Sequence, residues 1–376
     1  MRVLLFANTD WYLYNFRRSL ALALRDAGHE VILLSPPGPY GAKLQSLGLE
    51  WHAAPMDRRS LNPLREIKLL RWLTQFMRAQ QIDVVHGFTI KCAVYGSLAA
   101  RWAGVPARVN AVAGMGYVFT SNDAKALILR PVVRSLLRLA LGGKGARLIL
   151  QNPDDVRLFQ QAGLVDDTTI RLIPGSGVDC SRFAPTDSNL RQPGARMRVV
   201  LPARLLWDKG LAEFIDAARQ LKAANKPIDL LLAGDPDPGN PAAVPEATVQ
   251  QWVREGLVGW LGHVDDMPAL FRSVDVVALP SYREGLPKGL IEAGASGLPL
   301  VTTDVPGCRE VVTNNVDGLL VPVKNASALA DALARLCDDP PLRARLGAAA
   351  RTKALTEFDE RIVIERTAAV YKELRH

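Results

Sequence analysis

Val274-Asp-Val-Val-Ala-Leu-Pro-Ser-Tyr-Arg-Glu-Gly-Leu-Pro-Lys-Gly-Leu-Ile-Glu292 reads as strand, turn and helix in that order. The apolar run 274–280 predicts a buried strand, and 290–296 predicts an apolar helix. Between them Gly285, Pro287 and Gly289 mark a backbone suited to close approach. The helix start presents unpaired N–H groups and a positive dipole end to an anion. Glu284 and Glu292 flank that anion site, and carboxylates accept hydrogen bonds from hydroxyls. A ligand that carries both phosphates and many hydroxyls is a nucleotide-sugar. Taken alone, two glutamates at this spacing read as surface charges beside a helix start; the glycine-rich turn and a second element decide otherwise.

That second element is Leu201-Pro-Ala-Arg-Leu-Leu-Trp-Asp-Lys-Gly210, a strand end followed by a loop that carries Arg204 and Lys209. Two cations at the carboxyl end of a strand suit a diphosphate, whose charges they neutralise. Arg204 and Lys209 alone are weak evidence; joined to Glu284 and Glu292 they form a constellation.

Outward from these motifs the chain alternates strands and helices. Strands are predicted at 3–6, 31–34, 84–85 and 108–112, with helices at 15–27, 64–80 and 93–102. The rhythm resumes with strands at 198–202, 228–233, 274–279 and 299–302 and a helix at 211–224. Such alternation implies an α/β protein with parallel sheets covered on both faces. A Pro/Gly/polar stretch at 174–194 separates the two series. The expected organisation is a Rossmann-like first domain at 1–180, a linker at 181–194, a second Rossmann-like domain at 195–356 and a final helical segment at 357–376. Open α/β sheets bind ligands beyond the carboxyl ends of their strands, so two of them facing each other leave a central cleft.

Length and composition agree. The chain has 376 residues, enough for two domains, and 48 % apolar residues, enough for a sizeable core. No stretch approaches a membrane-spanning run, and the opening Met1-Arg-Val-Leu-Leu-Phe-Ala7 reads as a first strand, not a signal sequence. Cys92, Cys180, Cys308 and Cys337 show no metal or redox spacing and fit buried thiols in a reducing cytoplasm. The net charge of +8 is lopsided: residues 1–170 hold 21 Lys and Arg against 12 Asp and Glu, and residues 171–376 hold 25 against 26. A basic first half attracts nucleic acid or an anionic membrane.

Further candidates lie in that half. Asp10, Tyr14 and Arg17 follow the first strand, where a diphosphate headgroup fits; a capped loop with a solvated arginine is the alternative. His86 ends a strand with Lys91 just beyond it, and either contacts an acceptor or is structural. Gly114 and Gly116 expose backbone after another strand. Within 125–147, Arg130, Arg134 and Arg138 form one helical stripe beside leucines and valines. This is either a helix lying in lipid headgroups or a core helix whose arginines reach water. Asp235-Pro-Asp237 fits a metal-holding D-x-D, but its prolines favour a turn, so neither a metal nor another cofactor is expected.

A nicotinamide-dependent dehydrogenase is disfavoured because Ala7-Asn-Thr-Asp-Trp11 lacks G-x-G-x-x-G. A nucleic-acid-binding protein lacks support in any dense basic run or RNA-binding motif. A nucleotide-sugar epimerase on a similar two-domain fold is the closest alternative.

These motifs resemble the retaining GT-B glycosyltransferases of family 4. The resemblance implies that Arg204 and Lys209 hold the donor diphosphate, that Glu284 lies near the donor sugar and that Glu292 binds the ribose. On it Arg204, Lys209 and Glu284 are the expected catalytic residues, and Gly285, Leu286, Lys288 and Gly289 join the donor site. Trp260-Leu-Gly-His263-Val resembles the loop near the base, Ile173-Pro-Gly-Ser-Gly-Val-Asp179 the inter-domain segment, and Gly307-Cys-Arg-Glu310 with Asp317-Gly-Leu-Leu-Val321 the final strand region. The resemblance also implies that a helix at 359–374 packs back toward the first domain. Tyr14-Asn-Phe-Arg17, Ser60-Leu-Asn-Pro63, His86-Gly-Phe-Thr-Ile-Lys91 and Gly114-Met-Gly-Tyr-Val-Phe119 look like a bacterial subgroup that extends undecaprenyl-diphosphate-linked sugars in O-antigen, capsule and protein glycosylation. Several of its members add N-acetylgalactosamine. Phe88 departs from the family, where a second histidine often stands. The implied protein takes a UDP-sugar donor and a polyprenyl-diphosphate-linked acceptor without a metal or nucleic-acid partner. It works at the cytoplasmic face of the inner membrane as a peripheral protein on an anionic surface.

Overall fold

The computed structural model describes residues 1–57, 60, 62–112, 124–185 and 195–374, apart from the side chains of 124–130, 132 and 133. Packing divides the chain into two units, Met1–Ser176 with Arg361–His376, and Gly177–Glu360.

The first unit is built on a parallel sheet of β1 (Arg2–Phe6), β2 (Glu30–Ser35), β3 (Glu50–Ala53), β4 (Val84–Phe88), β5 (Ala107–Ala111), β6 (Ala146–Leu150) and β7 (Ile170–Leu172). Their order is β3-β2-β1-β4-β5-β6-β7. β1 shows why its sequence is an unbroken apolar run. Val3, Leu5 and Ala7 enter one core layer with Leu20, Leu24 and Val370, whereas Leu4 and Phe6 enter another with Leu69, Leu73 and Met77. Successive side chains leave a strand on opposite faces, so a sheet covered on both sides needs both sets apolar. The helix Pro63–Ala79 starts where Asn62 Oδ1 accepts the Leu64 N–H at 3.0 Å, with proline in the first turn. The last helix, Glu360–Glu373, buries Val363, Val370 and Tyr371 with β1, and Glu373 takes Arg147 from β6 and Arg171 from β7.

The second unit repeats the plan with β8 (Met197–Pro202), β9 (Ile228–Ala233), β10 (Gly259–Trp260), β11 (Val276–Leu279), β12 (Leu300–Thr303) and β13 (Gly318–Val321). The order is β10-β9-β8-β11-β12-β13, all parallel. Counted within each sheet, the second follows 3-2-1-4-5-6, the order of dinucleotide-binding folds, and the first follows it with a seventh strand added at the edge. Phe214, Leu290, Leu333 and Leu346 pack in the core with β8 and β11.

Three differences from the sequence reading have physical causes. The first unit ends at Ser176, ahead of the expected 180, because the next residues are strapped to the second unit. There the Val178 N–H donates to the Phe358 carbonyl at 2.9 Å, and the Arg351 guanidinium donates to the carbonyls of Cys180 and Phe183. Helix Ala124–Leu141 stops short of 147: the chain turns at Gly143, φ +99°, and Arg147 lies in β6. β3 and β7 are sheet edges with mixed polar sequence, which gives no apolar run to read.

Gly210 has φ +75°, and a Cβ there would fall 2.1 Å from the Pro280 carbonyl oxygen. Gly210→Ala is expected to lower unfolding stability by about 2 kcal/mol or more. The urea midpoint measures it; an unchanged midpoint would show that this close approach carries no weight.

Candidate functional site

β8 and β11 are neighbours, yet the chain leaves β8 toward β9 on one side and β11 toward β12 on the other. Loops at such a switch point diverge and leave a crevice beyond the strand ends. One loop carries Arg204 and the short helical turn Trp207–Lys209; the other carries Ser281, Tyr282 and Glu284 and leads into helix Lys288–Ala295. They meet where Lys209 Nζ lies 2.6 Å from Glu284 Oε1, and the Ser281 hydroxyl donates to the same oxygen at 2.7 Å. The two charged side chains are 17 % and 13 % exposed. Tyr282 locks the loops together. Its N–H donates to the Asp208 carbonyl at 2.9 Å, and its hydroxyl donates to the Glu213 carboxylate at 2.9 Å. Burial first, then the Glu213 hydrogen bond, pushes the Tyr282 pKa up to about 12, so the phenol stays a donor. Sequence reasoning missed Ser281, Tyr282 and Glu213; only their position beside Glu284 and just past Gly210 could have drawn notice.

The other expected donor residues have partners of their own. Lys288 Nζ stands 3.6 Å from Glu292 Oε1, one helical turn apart. Burial raises the Glu292 pKa, an effect that Lys288 and Arg182 partly offset. Arg204 reaches Asp237 at 2.8 Å, which makes the Asp235-Pro-Asp237 turn the source of a counter-ion. Gly289 backs onto the end of β8, where a Cβ would lie 3.4 Å from the Pro202 carbonyl oxygen. Leu286 is half-buried against the core, and Gly285 sits between it and Glu284. His263 is exposed and lies 3.3 Å from Asp265. Its loop is tied to β9 by the Gly234 N–H, which donates to the Gly262 carbonyl at 2.8 Å.

In the first unit several candidates are already occupied. Asp10 is buried, and its carboxylate accepts N–H groups from Trp11, Tyr40 and Gly41, the last two at the start of helix Gly41–Ser46. It braces the loop and is not left open to a headgroup. Lys91 directs its ammonium at Glu66 (2.9 Å) and at the carbonyls of Asp57 (2.7 Å) and Ser60 (3.0 Å). An ammonium has three donors, so none remains for the phosphate expected from the sequence. Tyr14 packs against Tyr40 and lies under Arg18. Arg17 and His86 are both buried, and burial, with Arg17 second, holds the His86 pKa well below its usual value. Gly114 and Gly116 lie outside the described residues, as does the Arg130 side chain. Arg138 donates to the Gly163 carbonyl at 2.6 Å, and Arg134 lies beside the same residue. Both thus stand near the carboxyl end of helix Pro153–Gln161, which favours cations.

Among the described residues no group of three or more His, Cys, Asp or Glu is placed to hold a metal, and no helix is long and apolar enough to cross a membrane. A cavity of about 560 Å³ opens beside the amino end of β9, away from the Lys209–Glu284 pair. Its cations are taken: Arg196 by Asp229, Arg198 by the Ser273 carbonyl, Lys226 by Asp338 and Lys222 by the Glu255 carbonyl.

Comparison with known proteins matches both halves. Residues 2–152 fit the profile "Glycosyl transferase 4-like" and residues 187–353 fit "Glycosyl transferases group 1". The N,N'-diacetylbacillosaminyl-diphospho-undecaprenol alpha-1,3-N-acetylgalactosaminyltransferase of Campylobacter jejuni is 30 % identical over 381 residues, covering 99 % of this chain and 98 % of its own. The UDP-Gal:alpha-D-GlcNAc-diphosphoundecaprenol alpha-1,3-galactosyltransferase of Escherichia coli is 28 % identical over 293 residues, 76 % of this chain and 74 % of its own. The crystal structure of Anabaena Alr3699/HepE in complex with UDP-glucose shares the fold, with TM-score 0.79 at 21 % identity over 99 % of both chains. Matched in both halves, and aligned end to end with a curated transferase, the chain belongs to the family 4 glycosyltransferases of GT-B fold and is itself a glycosyltransferase.

Proposed function

We propose that the chain transfers an N-acetylhexosamine, such as N-acetylgalactosamine, from a UDP-sugar to a polyprenyl-diphosphate-linked saccharide, with retention of configuration and without a metal. The observation that carries this reading is the Lys209–Glu284 pair at the β8/β11 switch point, supported by full-length similarity to the Campylobacter transferase. An arriving diphosphate takes Lys209 from Glu284 and Arg204 from Asp237, exchanging one anion for another around each cation. Glu284, freed of Lys209, accepts hydroxyls of the donor sugar. Glu292 accepts those of the ribose, and Gly285, Leu286, Lys288, Gly289 and His263 line the donor. Departure of UDP places charge on the β-phosphate, where Arg204, Lys209 and the start of helix Lys288–Ala295 stabilise it as it forms. The departing phosphate accepts the proton of the attacking hydroxyl on the same face, so no separate base is required. The acceptor meets the first unit near Tyr14, Arg17 and His86.

The reading extends to a peripheral position on the cytoplasmic face of the inner membrane, and the structure moves its support from one helix to three. Helices Pro63–Ala79, Ile90–Ala103 and Ala124–Leu141 lie side by side. Together they carry Arg65, Lys68, Arg71, Arg78, Lys91, Arg101, Lys125, Arg130, Arg134 and Arg138. Their one carboxylate, Glu66, is buried against Lys91. Leu64, Ile67, Trp102, Leu136 and Leu139 are exposed among these cations. Apolar side chains amid an excess of positive charge suit an anionic headgroup layer.

Incubation with a panel of UDP-sugars and a short-chain prenyl-diphosphate-GlcNAc is expected to yield one α-linked product by mass and NMR, undiminished by EDTA. UDP release without an acceptor, or an epimerised donor, would oppose transfer. Lys68→Glu with Arg71→Glu is expected to weaken sedimentation with phosphatidylglycerol vesicles by about tenfold or more, whereas equal binding by the variant would remove helix Pro63–Ala79 from the contact. Glu292 supplies a third test. Its pKa is raised by burial, so the stability it contributes is full below about pH 4.3 and lost as pH rises through the folded pKa. Glu292→Gln is therefore expected to raise Tm at pH 7, with the gain shrinking toward pH 4, and to raise donor KM by on the order of tenfold. A higher Tm with unchanged donor KM would make Glu292 purely structural.

A further inference from the structure

The first unit holds a positive charge with no counter-ion among the described residues. Arg17 ends the π-turn Leu13–Arg17 and is 5 % exposed. Its guanidinium donates once, to the Tyr12 hydroxyl at 3.1 Å, and lies over the Phe88 ring 4.3 Å from the centroid. Among the described residues no carboxylate pairs with it, and its Nε has no partner. A buried guanidinium in this condition is costly unless a ligand supplies the missing charge.

His86 supplies a second buried nitrogen without a partner among the described residues. It lies on β4, 1 % exposed, with its ring centroid 4.1 Å from that of Phe88, the ring that Arg17 also covers. Nδ1 lies 2.6 Å from the Tyr371 hydroxyl, and Nε2 has no partner among the described residues. Burial keeps the imidazole neutral and the phenol protonated, so one ring nitrogen carries hydrogen and the other accepts. The Tyr371 hydroxyl has no other acceptor among the described residues. It donates to Nδ1 and leaves the ring hydrogen on Nε2. Two buried N–H groups without acceptors among the described residues, one of them cationic, thus flank one aromatic ring. They stand on β4 and just after β1, the adjacent strands at the switch point of the first sheet.

We propose that Arg17 and His86 form an anion site completed by a phosphate of the acceptor, and that Tyr371, from the final helix, is a positioning residue that keeps the hydrogen on His86 Nε2. The assignment of the anion to the acceptor rests on the function proposed above; the anion site itself does not. The final helix thereby gains a role beyond covering the sheet, because its Tyr371 sets whether the nitrogen facing the ligand carries hydrogen.

The test is long-range ¹⁵N NMR of the histidine rings in the full chain, titrated with inorganic pyrophosphate and, separately, with a short-chain prenyl-diphosphate-GlcNAc. The expected result is hydrogen on His86 Nε2 in the free protein and a saturable shift at much lower concentrations of the prenyl compound. Arg17→Gln should abolish the shift and raise acceptor KM about tenfold or more while donor KM stays put; Arg17→Lys should recover part of the loss. Tyr371→Phe should move the His86 tautomer equilibrium and raise acceptor KM about threefold. Hydrogen on Nδ1 in the free protein overturns the proposal. So does an Arg17→Gln variant with normal melting and unchanged acceptor KM. Equal saturation by pyrophosphate and the prenyl compound upholds the anion site and overturns its assignment to the acceptor. If the wild type transfers no sugar, the proposed function fails while the pyrophosphate titration still decides the anion site. Should Arg17→Gln not fold, the wild-type titration and Tyr371→Phe decide.

Discussion

Lys209 and Glu284 are 75 residues apart, yet their charged atoms meet at 2.6 Å. The contact exists because β8 and β11 pair in parallel, Val199 opposite Val276 and Val200 opposite Val277, so that the loops leaving both strands start side by side. Gly210 lets the first loop press against the Pro280 carbonyl, and Tyr282 joins the second loop to Glu213. Each of these contacts narrows where Lys209 can stand. The pair is mostly shielded from water, which leaves its attraction far less screened than that of a surface ion pair.

The two units handle charge differently. In the second, both cations expected to hold the diphosphate have an internal carboxylate, Glu284 for Lys209 and Asp237 for Arg204, and Lys288 of the donor site has Glu292. Such a site stays compensated without ligand and binds by exchange, so its affinity is the difference between two anions, not the full worth of one. In the first unit Arg17 has an aromatic face and a phenol but, among the described residues, no carboxylate. Quadrupole attraction offsets only part of a buried charge, which makes that position more dependent on a ligand.

Lys91 illustrates how a residue expected to be functional becomes structural. It stands just past the end of β4, within the first turn of helix Ile90–Ala103, where a phosphate contact is a reasonable expectation. Helix Pro63–Ala79 packs beside that helix and brings Glu66 to it, and the preceding loop adds two carbonyls. The same packing removes the one carboxylate of these helices from the surface, so a bracing contact inside the unit sharpens the positive character of its outer face.

By itself the sequence determined the two-part α/β fold, because apolar runs of strand length alternating with amphipathic helices have one economical arrangement, parallel sheets buried on both faces. It also determined the strand–turn–helix around Glu284 and the cationic loop around Arg204 and Lys209, since each motif is contiguous and glycine marks where the backbone must come close. Tertiary structure alone decided which charges meet. Asp237 became the partner of Arg204, Glu66 took up Lys91, and Glu213 fastened Tyr282, all through contacts between distant segments. Tyr371 against His86 is the extreme case, 285 residues apart. Local periodicity specifies what each segment is, but a hydrogen bond depends on ångström distances set by how sheets and helices pack, and no spacing along the chain records those.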